Sequence, residues 1–174
     1  MFIEESARQI SQSYLHQIYL KNQRLQEARR QKEAKKRAFL ATLDAVQRDS
    51  SCLCIFTDGS SYGNPGPAGS GVYGYAPALP NSRAIFRSLS LGIGTNNQAE
   101  LNALKLAIQT LLPHVRSLSP ERKRRLSINF FLDSKYVMDG LNRSRVSANV
   151  NLFRDVLSLW DQLSVTVRTS VFHV

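Results

Sequence analysis

Three acidic residues stand in settings that suit a metal-dependent hydrolytic site. Asp58 ends an alternating apolar stretch beside a Gly/Asn/Pro-rich segment, Glu100 lies in the first turn of a predicted helix, and Asp133 ends a second apolar stretch. Phosphodiester hydrolysis needs an activated water and a stabilised leaving oxygen, and clustered carboxylates can bind the Mg²⁺ or Mn²⁺ ions that provide both. If the three carboxylates converge, they would repel one another without a cation, so packing alone would not explain such an arrangement.

A simpler interpretation exists for the first of these residues. Asp58-Gly59 is also a common turn signal in β-hairpins. Taken alone, it would favour a hairpin without chemistry. The two further acidic segments shift the balance towards a shared site.

The elements that carry the acids form a mixed α/β pattern. Alternating apolar residues predict strands, and apolar residues at helical spacing predict helices, the first capped by Thr95-Asn96 and ended by Pro113. The first three strands are expected to form an antiparallel meander, and the fourth to be central. The predicted strands are about Leu53–Asp58, Ser70–Ala76, Arg83–Leu91, Leu126–Asp133 and Val165–Val174, and the predicted helices about Asn97–Leu112, Ser134–Leu141 and Asn149–Leu163.

The connecting segments are predicted to be turns and polar loops. The run Arg122 to Arg125 is expected to be solvated, as most such runs are. Trp160 is predicted to belong to the core, and His173 to be a partly exposed strand residue. The predicted connections are the stretch 59–69, the turn Pro77–Pro80, the loop Ser117–Arg125 and the loop Asn142–Ala148 with Arg143 and Arg145.

The composition fits one compact domain with an appended segment. The chain has 174 residues, 43% of them hydrophobic, and a formal net charge of +10, which favours nucleic acid as a partner. Cys52 and Cys54 are predicted to be small buried or half-buried residues, because their spacing suits neither a disulfide framework nor a four-ligand zinc site. No apolar run is long enough for a membrane span and no secretory signal is recognised, so cytoplasm or nucleus is the default expectation.

Residues 1–50 are expected to form a basic helical extension before a domain at 51–174. The first 49 residues contain neither Gly nor Pro and are rich in helix-forming residues, which predicts one long helix or two shorter ones. The segment from position 21 to 37 contains eight basic residues and only two acidic ones, Glu27 and Glu33. Four interpretations stay open: a solvated helix, an arm that contacts nucleic-acid backbone, the tail of an upstream module as in a retroelement polyprotein, and an element that docks a partner.

Three motifs, in this order and spacing, resemble type 1 ribonuclease H. They are Thr57-Asp58-Gly59-Ser60 with the loop Gly63-Asn64-Pro65-Gly66, Thr95-Asn96-Asn97 with Glu100-Leu101, and Asp133-Ser134 with Tyr136-Val137. The resemblance covers about Leu53 to Val174. It implies an α/β ribonuclease H-like fold: a five-stranded mixed sheet flanked by helices, with strands one, four and five parallel and adjacent.

The resemblance also implies a function and a metal site. It implies a metal-dependent endonuclease that hydrolyses the RNA strand of RNA–DNA hybrids with two Mg²⁺ ions, for which Mn²⁺ can substitute. Asp58 would bridge both ions, and Glu100 and Asp133 would complete the cluster from either side.

Members of this family bind the RNA strand through the 2′-hydroxyl groups of the RNA, which distinguish RNA from DNA. Thr95 and Asn64 would help to hold a phosphate of the DNA strand, while Asn96 is also a candidate helix cap and Asn64 a turn residue. Carried over by motif position, the residues that contact RNA would be Gly59, Ser60, Ser61, Asn64, Asn96, Asn97 and Lys135.

One departure from the family pattern leaves two functions open. The family continues after the last strand with a Gly-His loop and a helix bearing a fourth carboxylate, and the sequence stops at Val174 before both, so the domain is expected to be C-terminally incomplete. The three retained carboxylates favour an active enzyme. The missing fourth favours a catalytically impaired module that binds hybrid or RNA. Mg²⁺ dependence would separate the two.

Overall fold

The structure is a computed structural model that describes residues 2–48, 51–76, 84–142 and 148–174. The chain divides into two compact units, Met1–Thr42 and Leu43–Val174. Helix α1 (Phe2–Gln47) is continuous, so the first of the two helical alternatives is confirmed. Every side chain from position 21 to 37 is exposed. None of the helices in the described ranges has the length and apolar character needed to cross a membrane.

The second unit is built on a five-stranded mixed sheet. The strand order across the sheet is β3-β2-β1-β4-β5. Strands β1, β2 and β3 pair antiparallel, whereas β1, β4 and β5 pair parallel, so the predicted meander and the predicted parallel neighbours are both confirmed. The elements are β1 (Cys52–Ser61), β2 (Gly66–Tyr75), β3 (Ile85–Gly94), α2 (Asn96–Ser117), α3 (Pro120–Arg125), β4 (Ser127–Leu132), α4 (Lys135–Leu141), α5 (Val150–Ser164) and β5 (Arg168–His173).

The core lies between one sheet face and the helices α2, α4 and α5. Alternate residues of β4, including Ile128 and Phe130, enter this core because successive strand side chains point to opposite faces. Trp160 packs its ring edge-on against Phe130, with 5.2 Å between ring centroids, which confirms the prediction that it belongs to the core. Cys52 and Cys54 are both buried thiols, also as predicted.

Helix α2 continues through Pro113, and the prediction that this proline ends the helix was wrong. A proline inside a helix lacks an N–H donor and crowds the carbonyl four residues back, at a cost of about 3 kcal/mol. The buried side chains of Leu111, Leu112 and Val115 lie on either side of it. Because burial of an aliphatic side chain stabilises by roughly 1.5–3 kcal/mol, continued packing outweighs the local cost up to Ser117.

The segment predicted as a polar loop at Ser117–Arg125 contains helix α3. Ser119 caps this helix by accepting a hydrogen bond from the backbone N–H of Arg122, and Pro120 occupies the first turn, where its missing N–H costs nothing. The four basic residues fill the last turn, where cations interact favourably with the helix dipole. The prediction of a loop was therefore wrong, although the Ser-Pro-Glu start signal was in the sequence.

Most of the stretch 59–69 is strand and not loop, which corrects a further prediction. Strand β1 continues to Ser61 and β2 begins at Gly66, so that only residues 62–65 form the turn. A Cβ at Gly66 would clash with the carbonyl of Tyr62, so the tight hairpin requires glycine there.

Two other boundaries also differ from prediction. Strand β3 continues to Gly94, and β5 begins only at Arg168, because helix α5 and a turn occupy the preceding residues. The predicted turn Pro77–Pro80 and the residues Arg143 and Arg145 lie outside the described residues.

Replacing Pro113 by Ala should stabilise the protein. The substitution restores an N–H donor inside a helix, and we expect the free energy of unfolding to rise by about 1–2 kcal/mol, because a less restricted unfolded chain offsets part of the gain. Chemical denaturation would measure this, with the exposed neighbour substitution His114→Ala as control, for which we expect a change within about 0.5 kcal/mol. An unchanged or lower stability of Pro113→Ala would contradict a continuous α2.

Candidate active site

The side chains of Asp58, Glu100 and Asp133 converge at the carboxyl end of β4. Thr57 of β1 pairs with Leu132 of β4, so the two aspartates occupy the next position of two parallel neighbours. One carboxylate oxygen from each of the three acids lies within 4.8 Å of the others. The Glu100 side chain is buried, whereas both aspartates are exposed, so the cluster opens to solvent on one side.

Helix α2 delivers Glu100 to β1 through a close approach at Gly59. A Cβ on Gly59 would clash with backbone atoms of Ala99 and Glu100, so only glycine permits this contact. The buried hydroxyl of Ser70 donates a 2.7 Å hydrogen bond to the carbonyl of Ala99, which fastens the first turn of α2 to β2. Sequence reasoning missed this role of Ser70, and no local signal could have shown it because the partners are distant in the chain.

A capping box fixes the start of α2. Thr95 accepts a hydrogen bond from the N–H of Gln98 at 3.2 Å, and the Gln98 side chain accepts one from the N–H of Thr95 at 2.9 Å. Thr95 is thus the predicted cap, but Asn96 is already the first helical residue and not a cap. The contribution of Gln98 was missed, although the pattern Thr-x-x-Gln is a recognised sequence signal for this motif.

The hairpin tip between β1 and β2 contacts the start of α2. The side-chain oxygen of Asn64 accepts a 3.1 Å hydrogen bond from the N–H of Asn96, and the Ser61 hydroxyl donates to the carbonyls of Gly94 and Gly63, the first at 3.0 Å. These bonds join the TDGS loop region and the TNN segment, which are far apart in the sequence, into one surface beside the carboxylates.

The predicted substrate-binding residues divide into two groups. The larger group follows the end of β1, the hairpin turn and the first residues of α2, and Lys135 lies separately at the start of α4, shortly after Asp133. Most of these side chains are accessible to a ligand. The exposed ones are Ser60, Asn64, Asn96, Asn97 and Lys135.

The strand β5 holds the backbone that carries Asp133. The N–H of Val174 donates to the carbonyl of Leu132 at 2.9 Å, and Nε2 of His173 lies 3.1 Å from the carbonyl oxygen of Asp133. His173 is an exposed residue at the end of a strand. Its contact with Asp133 is a positioning contact that its sequence setting did not reveal.

The electrostatics of the cluster fit a bound cation. Burial raises the pKa of Glu100 from 4.5 to about 8, and the Asp133 carboxylate, by its charge and a hydrogen bond, and then the Asp58 carboxylate contribute to the rise. A hydrogen bond from the Gly59 backbone opposes it. Without metal, Glu100 therefore holds a proton near neutral pH. A divalent cation would offset the repulsion and release that proton.

The five-stranded mixed sheet, in this strand order, defines a ribonuclease H-like fold. It carries a candidate metal centre, whose carboxylates lie on β1, directly after β4, and on helix α2, which stands between these strands in the sequence. The family model for RNase H matches residues 49–172. The chain belongs to the ribonuclease H family.

Individual relatives agree with this assignment. A ribonuclease H of Edwardsiella ictaluri is 36% identical over 91 residues, which are 51% of this chain and 48% of that protein. A ribonuclease H of Baumannia cicadellinicola is 29% identical over 128 residues, which cover 68% of this chain and 72% of that protein. The chain spans about half the length of several curated relatives that it matches.

Solved structures agree with the fold. The RNase H1 of the halophilic archaeon Halobacterium salinarum superposes with a TM-score of 0.54 at 25% identity, covering 71% of this chain and 85% of that one. LC11-RNase H1, solved in complex with an RNA/DNA hybrid, superposes with a TM-score of 0.55 at 22% identity, covering 70% and 84%. At 22% sequence identity, the likeness to LC11-RNase H1 shows a shared fold alone.

Replacing Gly59 by Ala should separate Glu100 from the aspartates. The new methyl group would push the first turn of α2 away from β1, and such overpacking typically costs about 1–3 kcal/mol. We expect lower stability and weaker Mn²⁺ binding, measured by denaturation and calorimetry. Gly71→Ala on β2 is the matched control, because a Cβ there would meet only the Asp58 carbonyl oxygen, at 3.8 Å. Equal effects of both substitutions would contradict the close approach.

The metal-free protein should lose stability as the pH rises. The folded site retains a proton on Glu100 up to about pH 8, whereas the unfolded chain releases it near pH 4.5, so the free energy of unfolding should fall between those values. Denaturation with a chelator present, from pH 5 to pH 9, would show this slope. Glu100→Gln should flatten it, while Glu121→Gln on α3 should not. A slope unaffected by Glu100→Gln would exclude the raised pKa.

Proposed function

We propose that this chain is a metal-dependent endonuclease that hydrolyses the RNA strand of RNA–DNA hybrids. The observation that carries the proposal is the convergence of three carboxylates within 4.8 Å in a member of the ribonuclease H family. The hybrid bound to LC11-RNase H1, a protein with the same fold, supports the choice of substrate. Binding without cleavage, the alternative raised by the sequence, does not require three mutually repulsive carboxylates.

The donor set is suited to hard divalent cations. Among the residues that the structure describes, the cluster consists of three carboxylates without a nitrogen or sulfur ligand, which favours Mg²⁺, with Mn²⁺ as a substitute. We propose that Asp58, Glu100 and Asp133 would together hold two such ions. Bound at this site, the ions would supply an activated water and stabilisation of the leaving oxygen. The buried Glu100 and its hydrogen bond to Asp133 keep the ligands aligned before substrate enters.

Recognition of the two strands would fall to the polar surface beside the carboxylates. This surface offers donors and acceptors of the kind that bind 2′-hydroxyl groups. They come from the exposed side chains of Ser60, Asn96 and Asn97, from Ser61 and from the Gly59 backbone. The Asn64 side-chain oxygen is already occupied by the Asn96 N–H, which leaves its NH₂ group to donate to a DNA-strand phosphate together with the Thr95 hydroxyl.

Cations on other parts of the chain would add affinity without sequence preference. Lys135 lies at the start of α4, beside the acidic cluster, and is exposed to an incoming strand. The exposed basic residues at positions 21–37 of α1 present a second region that suits contact with the nucleic-acid backbone.

Replacing Asp58 by Asn should abolish cleavage while retaining hybrid binding. Removal of a residue that hydrogen-bonds to a metal ligand commonly lowers activity about 10–100-fold. Removal of a ligand itself should therefore lower the cleavage rate by more than about 100-fold. The assay uses an end-labelled RNA strand in a hybrid with Mg²⁺, Mn²⁺ or chelator. Addition of chelator should abolish cleavage by the unaltered chain in the same way.

Asp139→Asn is the matched control, because Asp139 is an exposed carboxylate on α4 outside the cluster, and its replacement should leave the rate within about 2-fold. Cleavage that persists in Asp58→Asn would contradict the assigned role of Asp58. Hybrid binding with no cleavage by the unaltered chain at any metal concentration would favour the binding module.

A further inference from the structure

A dense group of cations lies at the amino end of β4, opposite to the carboxylates. Helix α3 precedes the six-residue strand β4 and Asp133 follows it, so the two sites are about 20 Å apart along the strand. We call this group the α3 basic patch. Its members are Arg116, Arg122, Lys123, Arg124, Arg125 and Arg168.

Hydrogen bonds show that the members come from three elements that meet at this end. Nζ of Lys123 donates to the carbonyl of Arg116 at the end of α2, at 2.9 Å, and Nη2 of Arg168 at the start of β5 donates to the carbonyl of Arg125, at 3.4 Å. The patch is therefore a property of the folded chain and not only of the run at 122–125.

Structural roles account for some of these cations but not for all. Arg125 pairs with Glu121 at 3.0 Å, and Arg116 donates to Gln162 at 2.7 Å. The side chains of Arg122 and Arg124 are exposed, and neither has an ion pair or hydrogen bond within the described part of the chain. Glu121 is the sole acidic residue between positions 116 and 126, and Asp161 is the sole one between 161 and 168. Six cations outnumber these two acids, so the patch keeps a net positive charge.

The composition of the patch favours nucleic acid over an acidic protein. Protein interfaces place apolar and aromatic side chains at their centre. Between positions 116 and 126 and between 161 and 168, Val165 is the single exposed large hydrophobic residue. Arginine guanidinium groups without an apolar centre are suited to phosphate groups, which they bind through two parallel hydrogen bonds.

We propose that the α3 basic patch is a second nucleic-acid-binding surface, which holds the backbone of single-stranded RNA that extends from a bound hybrid. A duplex follows a nearly straight course over such a distance, whereas a flexible single strand can follow the protein surface over the roughly 20 Å from the carboxylates to the opposite end of the sheet. The choice of RNA rests on the proposed function, but the binding itself requires neither metal nor cleavage.

A direct test measures RNA binding in the presence of chelator. A fluorescein-labelled single-stranded RNA is titrated with the full chain across a salt series, and Arg122→Gln/Arg124→Gln is compared with the control Arg87→Gln/Arg154→Gln, which removes two exposed cations elsewhere. Each phosphate contact to a single strand contributes about 0.7 to the log–log salt slope, so loss of two should reduce the slope by about 1.4 and weaken binding about 25-fold at 0.1 M salt.

The control should keep the slope and affinity of the unaltered chain. Arg122→Lys/Arg124→Lys should keep the slope, because the charges remain, but lose part of the affinity, because lysine cannot form the two parallel hydrogen bonds to a phosphate. Circular dichroism and the thermal midpoint confirm that each variant is folded. Equal RNA binding by the patch variant and the control would overturn the proposal and leave an acidic protein surface as the partner that the charge fits.

A second measurement distinguishes this surface from the carboxylate site. For a hybrid with a single-stranded RNA flank, the patch variant should raise KM with kcat unchanged, and for a blunt hybrid it should change neither. An equal rise in KM for both substrates would overturn the role in holding the flank. Absence of cleavage by every variant would count against the proposed function. The binding experiment in chelator would still show whether the α3 basic patch binds RNA.

Discussion

The crowding of three carboxylates is the constraint on which the site depends. Burial and two neighbouring negative charges act against ionised Glu100, so the cluster stays together only because the backbone around it is fixed. Helix α2 meets β1 at Gly59, Ser70 binds the carbonyl of Ala99, and the capping box orders the first turn. These contacts fix the backbone that carries the acids, and a cation would gain from ligands that need little rearrangement.

Parallel pairing of β1 with β4 provides the second half of this arrangement. The pair Thr57–Leu132 sets the register, and a slip by one residue would turn Asp58 to the other face of the sheet. Strand β5 supports the same register from the opposite side, through the bond from Val174 to Leu132 and the contact of His173 with the Asp133 carbonyl. The position of Asp133 thus depends on the sheet as a whole and not on a local loop.

Much of the fold could be predicted from the sequence because its signals are local or carried by motifs. Alternation identified the strands, and the motifs around Asp58, Glu100 and Asp133 indicated which elements are neighbours. The errors came where tertiary packing overrides local preference: α2 passes Pro113 because Val115 is buried beyond it, and the glycine-rich stretch after Asp58 pairs as strand because β2 and β3 lie alongside. Contacts such as Ser70 with Ala99 could not be predicted, since they depend on how distant segments meet.

The distribution of charge would allow the proposed metal binding and nucleic-acid binding to be adjusted separately. The chain carries a net charge of +10, yet it keeps three carboxylates together at one end of β4 and six cations of the α3 basic patch at the other. At physiological ionic strength the Debye length is about 8 Å, so cations about 20 Å away would do little to weaken the attraction of the acidic cluster for the proposed Mg²⁺. A single basic surface spread over the cluster would have competed with the metal. Separation along one strand would let the chain attract a polyanion while keeping a site that is negative enough for the proposed divalent ions.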